Sequence, residues 1–159
     1  MKHLLPIFIC WACMTGVLFT ACAPKQASEE TEQTETLVTE ENSDPVQSLN
    51  TEAFIRKVHD FRQNDTWNYK GERPCVIDFY ADWCPPCKMM APVMEKLANQ
   101  YKGEIDFYRV NVEECEEVAS HFEIQSIPFF LLCPMKGEPS EAIGSMSEES
   151  FKALIETLR

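Results

Sequence analysis

The chain is short of positive charge. Its 159 residues carry 14 Lys and Arg against 26 Asp and Glu, a formal net charge of −12. That balance argues against nucleic acid as a partner, because an acidic surface repels phosphate and mainly serves solubility. The chain also lacks an apolar run of spanning length. Its longest, residues 4–18, is about 15 residues and is broken by Pro6, Thr15 and Gly16, whereas a transmembrane helix needs roughly 20. Internal repeats are absent. So is a histidine after Cys87, where Lys88 stands instead, and this excludes the c-type haem attachment signature. A four-ligand zinc site is missing as well. Cys84 and Cys87 make a half-site, and the best remaining pair, Cys115 and His121, does not have a usual ligand spacing.

What is present falls into three parts. Residues 1–21 read as a signal peptide, with Lys2 as its positive start and a short apolar core. The core ends in Leu18-Phe19-Thr20-Ala21-Cys22, which resembles a bacterial lipobox with Cys22 as the lipidated residue. Ordinary cleavage near Ala21 and a retained membrane anchor are the alternatives. Residues 22–45 read as a disordered linker: between 23 and 44 lie seven acidic residues, Lys25 as the one base, and almost no large apolar side chain. Such a segment buries too little apolar surface to offset the entropy of ordering it. Gln26-Ala27-Ser28-Glu29-Glu30 loosely resembles the acidic tract of surface-exported lipoproteins, although a plain solvated spacer is the preferred reading. Residues 46–159 are the folded domain, long enough for one core.

Within the domain the pattern reads β-α-β-α-β-α-β-β-α. Strands are predicted at 46–49, 75–80, 105–112, 127–133 and 141–144, and helices at 51–64, after Cys84 to about 102, 113–122 and from Ser147 onward. Pro92 falls inside the second helix, where it removes one backbone bond. Alternating strands and helices followed by a hairpin predict an α/β fold, a central mixed sheet with helices on both faces.

The strand Val76-Ile77-Asp78-Phe79-Tyr80 leads directly into Trp83-Cys84-Pro85-Pro86-Cys87-Lys88. Two cysteines at this spacing, at the start of a helix, suit a dithiol that cycles to an internal disulfide. Amide dipoles there favour a thiolate on Cys84, which is placed for access, and Cys87 waits one turn inside to resolve the mixed disulfide. Pro85 and Pro86 pull in two directions. They pre-form the turn, and they remove amides that would stabilise the thiolate. Asp78 is a carboxylate in an apolar strand; if buried, its pKa rises. The alternative is an edge aspartate facing solvent. Met89 and Met90 read as core and helix filler.

These residues, with Ala91-Pro92, Ser126-Ile127-Pro128 and Gly144, closely resemble the thioredoxin family, above all its exported, periplasmic members. The resemblance covers nearly all of the chain after Pro45, with no insert between Cys87 and Pro128. It implies a thioredoxin fold and a thiol–disulfide oxidoreductase in the bacterial cell envelope, a reductase before an oxidase or isomerase, with a metal-binding or scaffold module as the rival outside enzymes. It implies that Asp78 helps to deprotonate Cys87, and that Arg109 stands where the family often has a lysine, holding Asp78 more firmly ionised. It implies a cis Ile127–Pro128 bond facing the dithiol, with Trp83, Ile127, Pro128 and Gly144 lining a substrate groove. No cofactor or metal is implied. The expected partners are disulfide-bonded envelope proteins, a membrane thiol conduit of the DsbD/CcdA type, and the membrane through the lipid anchor on the periplasmic side; a monomer is expected. In this fold Cys75 and Cys133 would lie on antiparallel neighbouring strands. They are read as buried free thiols, with a second disulfide as the alternative, and Cys115 as a leftover thiol.

Overall fold

The computed structural model describes residues 44–159. The signal peptide, Cys22 and nearly all of the linker lie outside the described residues. Five strands and four helices follow in the order β1 Gln47–Ser48, α1 Thr51–Lys57, β2 Cys75–Tyr80, α2 Pro85–Gln100, β3 Asp106–Asn111, α3 Glu116–His121, β4 Phe129–Cys133, β5 Ser140–Ile143 and α4 Glu148–Glu156. The sheet order is β1-β3-β2-β4-β5. β1 and β2 run parallel to β3, β4 runs antiparallel to β2, and β5 runs antiparallel to β4. The result is a mixed sheet between two helical layers, as the sequence pattern implied, and it is the thioredoxin fold that the family resemblance implied.

Side-chain parity sorts the core. On β2, Val76 points to one face and Cys75, Ile77 and Phe79 to the other, as alternation on a pleated strand requires. The Val76 face also takes Phe107 of β3 and Phe130 and Leu132 of β4. It is covered by Met90, Met94 and Leu97 of α2 and by Phe151 and Ile155 of α4. The opposite face carries Tyr108, Val110, Phe129 and Leu131, packed with Phe54 of α1 and Val118 of α3. β2 is the middle strand, and its first five residues are all buried. That explains why it reads as a continuous apolar run rather than an alternating one.

Two helices are shorter than predicted. α1 stops at Lys57 rather than continuing to 64. The Val58 carbonyl receives the Lys70 amide at 2.9 Å, and the Lys70 ammonium reaches the Ile55 carbonyl at 3.0 Å. The returning loop thus takes over the carbonyls that a longer helix would have used. It also brings Trp67 against the buried His59 (ring centroids 4.9 Å apart) and against Phe122, a tertiary gain that periodicity does not record. α3 begins at Glu116 rather than 113, because Asn111 folds the chain first: its side chain accepts the Glu113 amide and its carbonyl accepts those of Glu114 and Cys115. The caps behave as the sequence implies. Asn50 accepts from the Ala53 amide at 2.8 Å and Ser147 from the Ser150 amide at 3.1 Å, each satisfying a first-turn donor.

Phe130 is fully buried with its ring centroid 4.6 Å from that of Phe151, joining β4 to α4. Phe130→Ala is expected to cost about 3–5 kcal/mol, read as a lower urea midpoint with an unchanged denaturant slope.

Candidate active site

β2 ends at Tyr80, and the chain turns through 81–84 into α2. Cys84 is the N-cap of α2, in extended backbone geometry, and Pro85 and Pro86 occupy the first turn. A first-turn proline costs the helix nothing, since those amides have no intrahelical acceptor. With both prolines lacking N–H, the Cys87 amide is the donor that reaches the Cys84 sulfur, at 3.2 Å. Cys84 and Cys87 are joined by a disulfide, their Cα atoms 5.3 Å apart.

Cys84 is not open to solvent as the sequence reading expected. It is 2% exposed, and Cys87 is 3% exposed. The two sulfurs and Ala81 form a small apolar cluster walled by Tyr80, Val112 and Ile127. The Ile127 carbonyl lies 3.9 Å from the Cys84 sulfur. This is a contact and not a hydrogen bond, because a disulfide sulfur has no proton to donate. The exposed surface beside the dithiol comes from its neighbours: Trp83 is 64% exposed.

The Ile127–Pro128 bond is cis. β4 starts one residue later, so Pro128 precedes the ladder, where its missing N–H is harmless. The Pro128 carbonyl is taken by the Gly144 amide at 2.8 Å, and Gly144 holds a φ of +85°, which glycine adopts without steric cost. Among the described residues, neither the amide nor the carbonyl of Ile127 has a backbone partner. An extended peptide has both groups available there.

Asp78 shares the parity of Val76, so it faces α2, the layer that carries Cys87. It is 5% exposed, and one of its carboxyl oxygens has no hydrogen-bond partner among the described residues. Burial pushes its pKa from an ordinary 3.8 up to about 7, and the positive charge of Arg109 offsets only part of that rise. Asp78, Cys87, Lys88, Glu95 and Arg109 line one cleft of about 110 Å³.

Arg109 is directly opposite Asp78 in the β2–β3 register. Its charge lowers the Asp78 pKa, the expected direction, but burial outweighs it, and the guanidinium itself is paired with Asp44 at 3.0 Å. Met90 is core, but Met89 is 62% exposed on the first turns of α2, and Ile143, just before Gly144, is also 62% exposed. The sequence reading takes Met89 with Met90 as core and helix filler, and it does not single out Ile143. Met89 adjoins a buried Met90, and Ile143 lies on an edge strand, where parity alone does not tell groove from core.

Cys75 and Cys133 are register partners at the other end of β2 from the dithiol, both buried and both free thiols. Burial and a hydrogen bond to Cys75 push the Cys133 thiol well up. Cys115 is buried too, its sulfur 3.6 Å from the Leu49 carbonyl. Among the described residues no group of three or more His, Cys, Asp or Glu is placed to hold a metal.

The raised Asp78 has a sign. The folded state keeps this proton up to about pH 7, while the unfolded chain releases it near 3.8. Stability from this group is therefore full below pH 4 and is lost as the pH rises through 7. Asp78→Asn is expected to remove that loss. Urea unfolding should find the variant more stable than the parent at pH 8, by up to about 4 kcal/mol, with the advantage gone at pH 4.

Comparison with known proteins agrees with this geometry. The family model described as Thioredoxin matches residues 45–157. A thioredoxin of Borreliella burgdorferi is 41% identical over 108 residues, covering 68% of this chain and 92% of that protein. Thioredoxin C-2 of Corynebacterium nephridii is 35% identical over 86 residues, covering 54% and 80%. Among solved structures, chloroplastic thioredoxin z superposes with a TM-score of 0.60 at 17% identity, covering 71% of this chain and 93% of that one, a likeness of fold. With the match running through the whole folded part and a bacterial relative covered almost end to end, this chain belongs to the thioredoxin family and is a thiol–disulfide oxidoreductase.

Proposed function

We propose that the chain is a membrane-tethered disulfide reductase of the bacterial cell envelope. The observation that carries the reducing direction is the supply of amides at Cys84. An oxidant of this fold is strong when its reduced form is stabilised, because a stable thiolate makes the disulfide eager for electrons. Pro85 and Pro86 withdraw two first-turn donors, and the Cys87 amide is the backbone donor seen at the sulfur. A less stabilised Cys84 thiolate favours the disulfide and so favours giving electrons away. The uninterrupted layout from Cys87 to Pro128 supports the same direction.

The cycle follows from the site. An extended segment of the substrate pairs with the Ile127 backbone beside Pro128, over a surface that includes Trp83. The Cys84 thiolate attacks one sulfur of the substrate disulfide, forming a mixed disulfide and releasing a substrate thiolate. Cys87 then passes its proton toward Asp78, whose pKa near 7 suits it to take and return a proton at neutral pH. The Cys87 sulfur attacks Cys84, the second substrate thiolate leaves, and the Cys84–Cys87 disulfide remains. Two electrons have moved to the substrate, and its thiolates are protonated from Asp78 and solvent. Another dithiol must then reduce the chain. Outside the cytoplasm its source would be a membrane thiol conduit, and the clients would be disulfide-bonded envelope proteins. The short apolar core and Cys22 support export and a lipid anchor.

The reduction potential of Cys84/Cys87 in the full chain tests the direction. A value near the roughly −270 mV of reducing members supports it, and one near −120 mV overturns it in favour of an oxidase. The full chain should reduce insulin disulfides with dithiothreitol. Cys84→Ser should abolish turnover, and Cys87→Ser should stop at a mixed disulfide that a thiol-trapping gel displays. A chain that binds metal but never reduces insulin would instead be a binding module. For the address, Cys22→Ala should lose incorporation of labelled fatty acid in bacteria; retained labelling would sink the anchor reading.

A further inference from the structure

Asp44 is an exposed carboxylate three residues before β1, where the chain enters the fold. One of its oxygens accepts from the Arg109 guanidinium at 3.0 Å, and the other accepts from the Val46 amide at 3.0 Å. The same guanidinium nitrogen also reaches the Val46 carbonyl at 3.3 Å. Arg109 is therefore fastened to the entry segment by both a charge and a carbonyl. Behind this clasp the polar groups are under-used. The Arg109 Nε and the Asp78 Oδ1 are both buried with no partner among the described residues. They belong to residues at the same register of adjacent strands, and strands lie only about 4.8 Å apart. An arginine side chain spans that gap easily, so two carboxylates compete for one guanidinium, and Asp44 has it.

We propose that Asp44 is a positioning residue for the redox centre: it holds the Arg109 guanidinium at the edge of the cleft and so leaves the Asp78 carboxyl free to take and return the Cys87 proton. The inference rests on the reading of Asp78 as the proton acceptor for Cys87. The other groups around Asp78 are Lys88, Glu95 and Cys87 from α2, Asp82 from the preceding turn, and Tyr80 from its own strand. Arg109 is the cation in register with Asp78, and Lys88 makes no ion pair among the described residues. Losing the Asp44 carboxylate thus releases the charge best placed to ionise Asp78. The consequence is a link between the tethering end of the chain and proton transfer at the dithiol.

Two readouts on the full chain test this. Carbon-13 NMR of the side-chain carboxyls follows the titration of Asp78. With Cys10, Cys13 and Cys22 changed to serine in every variant, stopped-flow reaction of the reduced chain with 5,5′-dithiobis-(2-nitrobenzoate) releases two equivalents of coloured thiolate from the dithiol, the first on attack by Cys84 and the second on attack by Cys87. In Asp44→Asn the Asp78 midpoint should fall by about 1 pH unit or more, as a newly paired carboxylate does. The acid limb of the second release should move down with it. Asp44→Glu should restore both, and Asp44→Asn should change neither in an Arg109→Gln background. An unmoved Asp78 midpoint in Asp44→Asn overturns the positioning role. A midpoint that moves while the second release keeps its pH profile overturns the link to chemistry, and with it the proton role of Asp78, while disulfide reduction itself would stand.

Discussion

A carboxyl group buried on the middle strand, with one oxygen unpartnered, is the constraint around which the rest of this fold is arranged. An apolar residue at position 78 would serve the core better, since burying an unsatisfied polar group costs free energy that no packing contact returns. The surroundings contain that cost. β2 is flanked by β3 and β4, its other face is closed by aromatic and aliphatic side chains, and α2 covers the carboxyl from above. The covering helix is the one that begins at the dithiol. Strand parity and helix position together place an acid with a pKa near neutrality on the same cleft as Cys87. The active site is thus less a set of residues than a relation between one strand face and one helix start.

The same constraint explains what could be read from the sequence. The strand, the Cys-x-x-Cys turn and the helix behind it are local, and their periods and caps show directly in residues 75–100. The interior position of Asp78 is nearly as legible, because apolar neighbours on both sides leave a strand residue little access to water. Less could be read where distant segments compete. The truncation of α1 depends on Lys70 reaching back to the Ile55 and Val58 carbonyls, and the late start of α3 depends on how Asn111 spends its hydrogen bonds. Arg109 is the clearest case. Its charge is plain in the sequence and its place near Asp78 was implied by the family resemblance, but its direction was decided by Asp44, 65 residues earlier, in what reads as the end of a featureless linker.

Burial of Cys84 has a similar origin. A residue that caps a helix at a turn is expected to be open. Ile127, ahead of the cis bond to Pro128, packs against Cys84 and closes that position, its carbonyl 3.9 Å from the sulfur. Among the described residues the Ile127 amide and carbonyl have no backbone partner, so this rim of the site presents unpaired groups beside the buried sulfur.

Among the described residues three further thiols accompany the reactive pair. Cys75 and Cys133 face the layer opposite α2, at the far end of β2 from the dithiol, and Cys115 lies in that same layer. The sheet itself separates Cys75 and Cys133 from the Cys87 face. A thiol must be ionised and within reach to attack a disulfide. Cys133 fails on both counts, since it is fully buried and burial pushes its pKa up. The layer over Cys75 and Cys133 is closed by α1 and α3, through Phe54 and Val118 packed on the same sheet face, so these thiols stay out of reach of the dithiol while those helices stay docked.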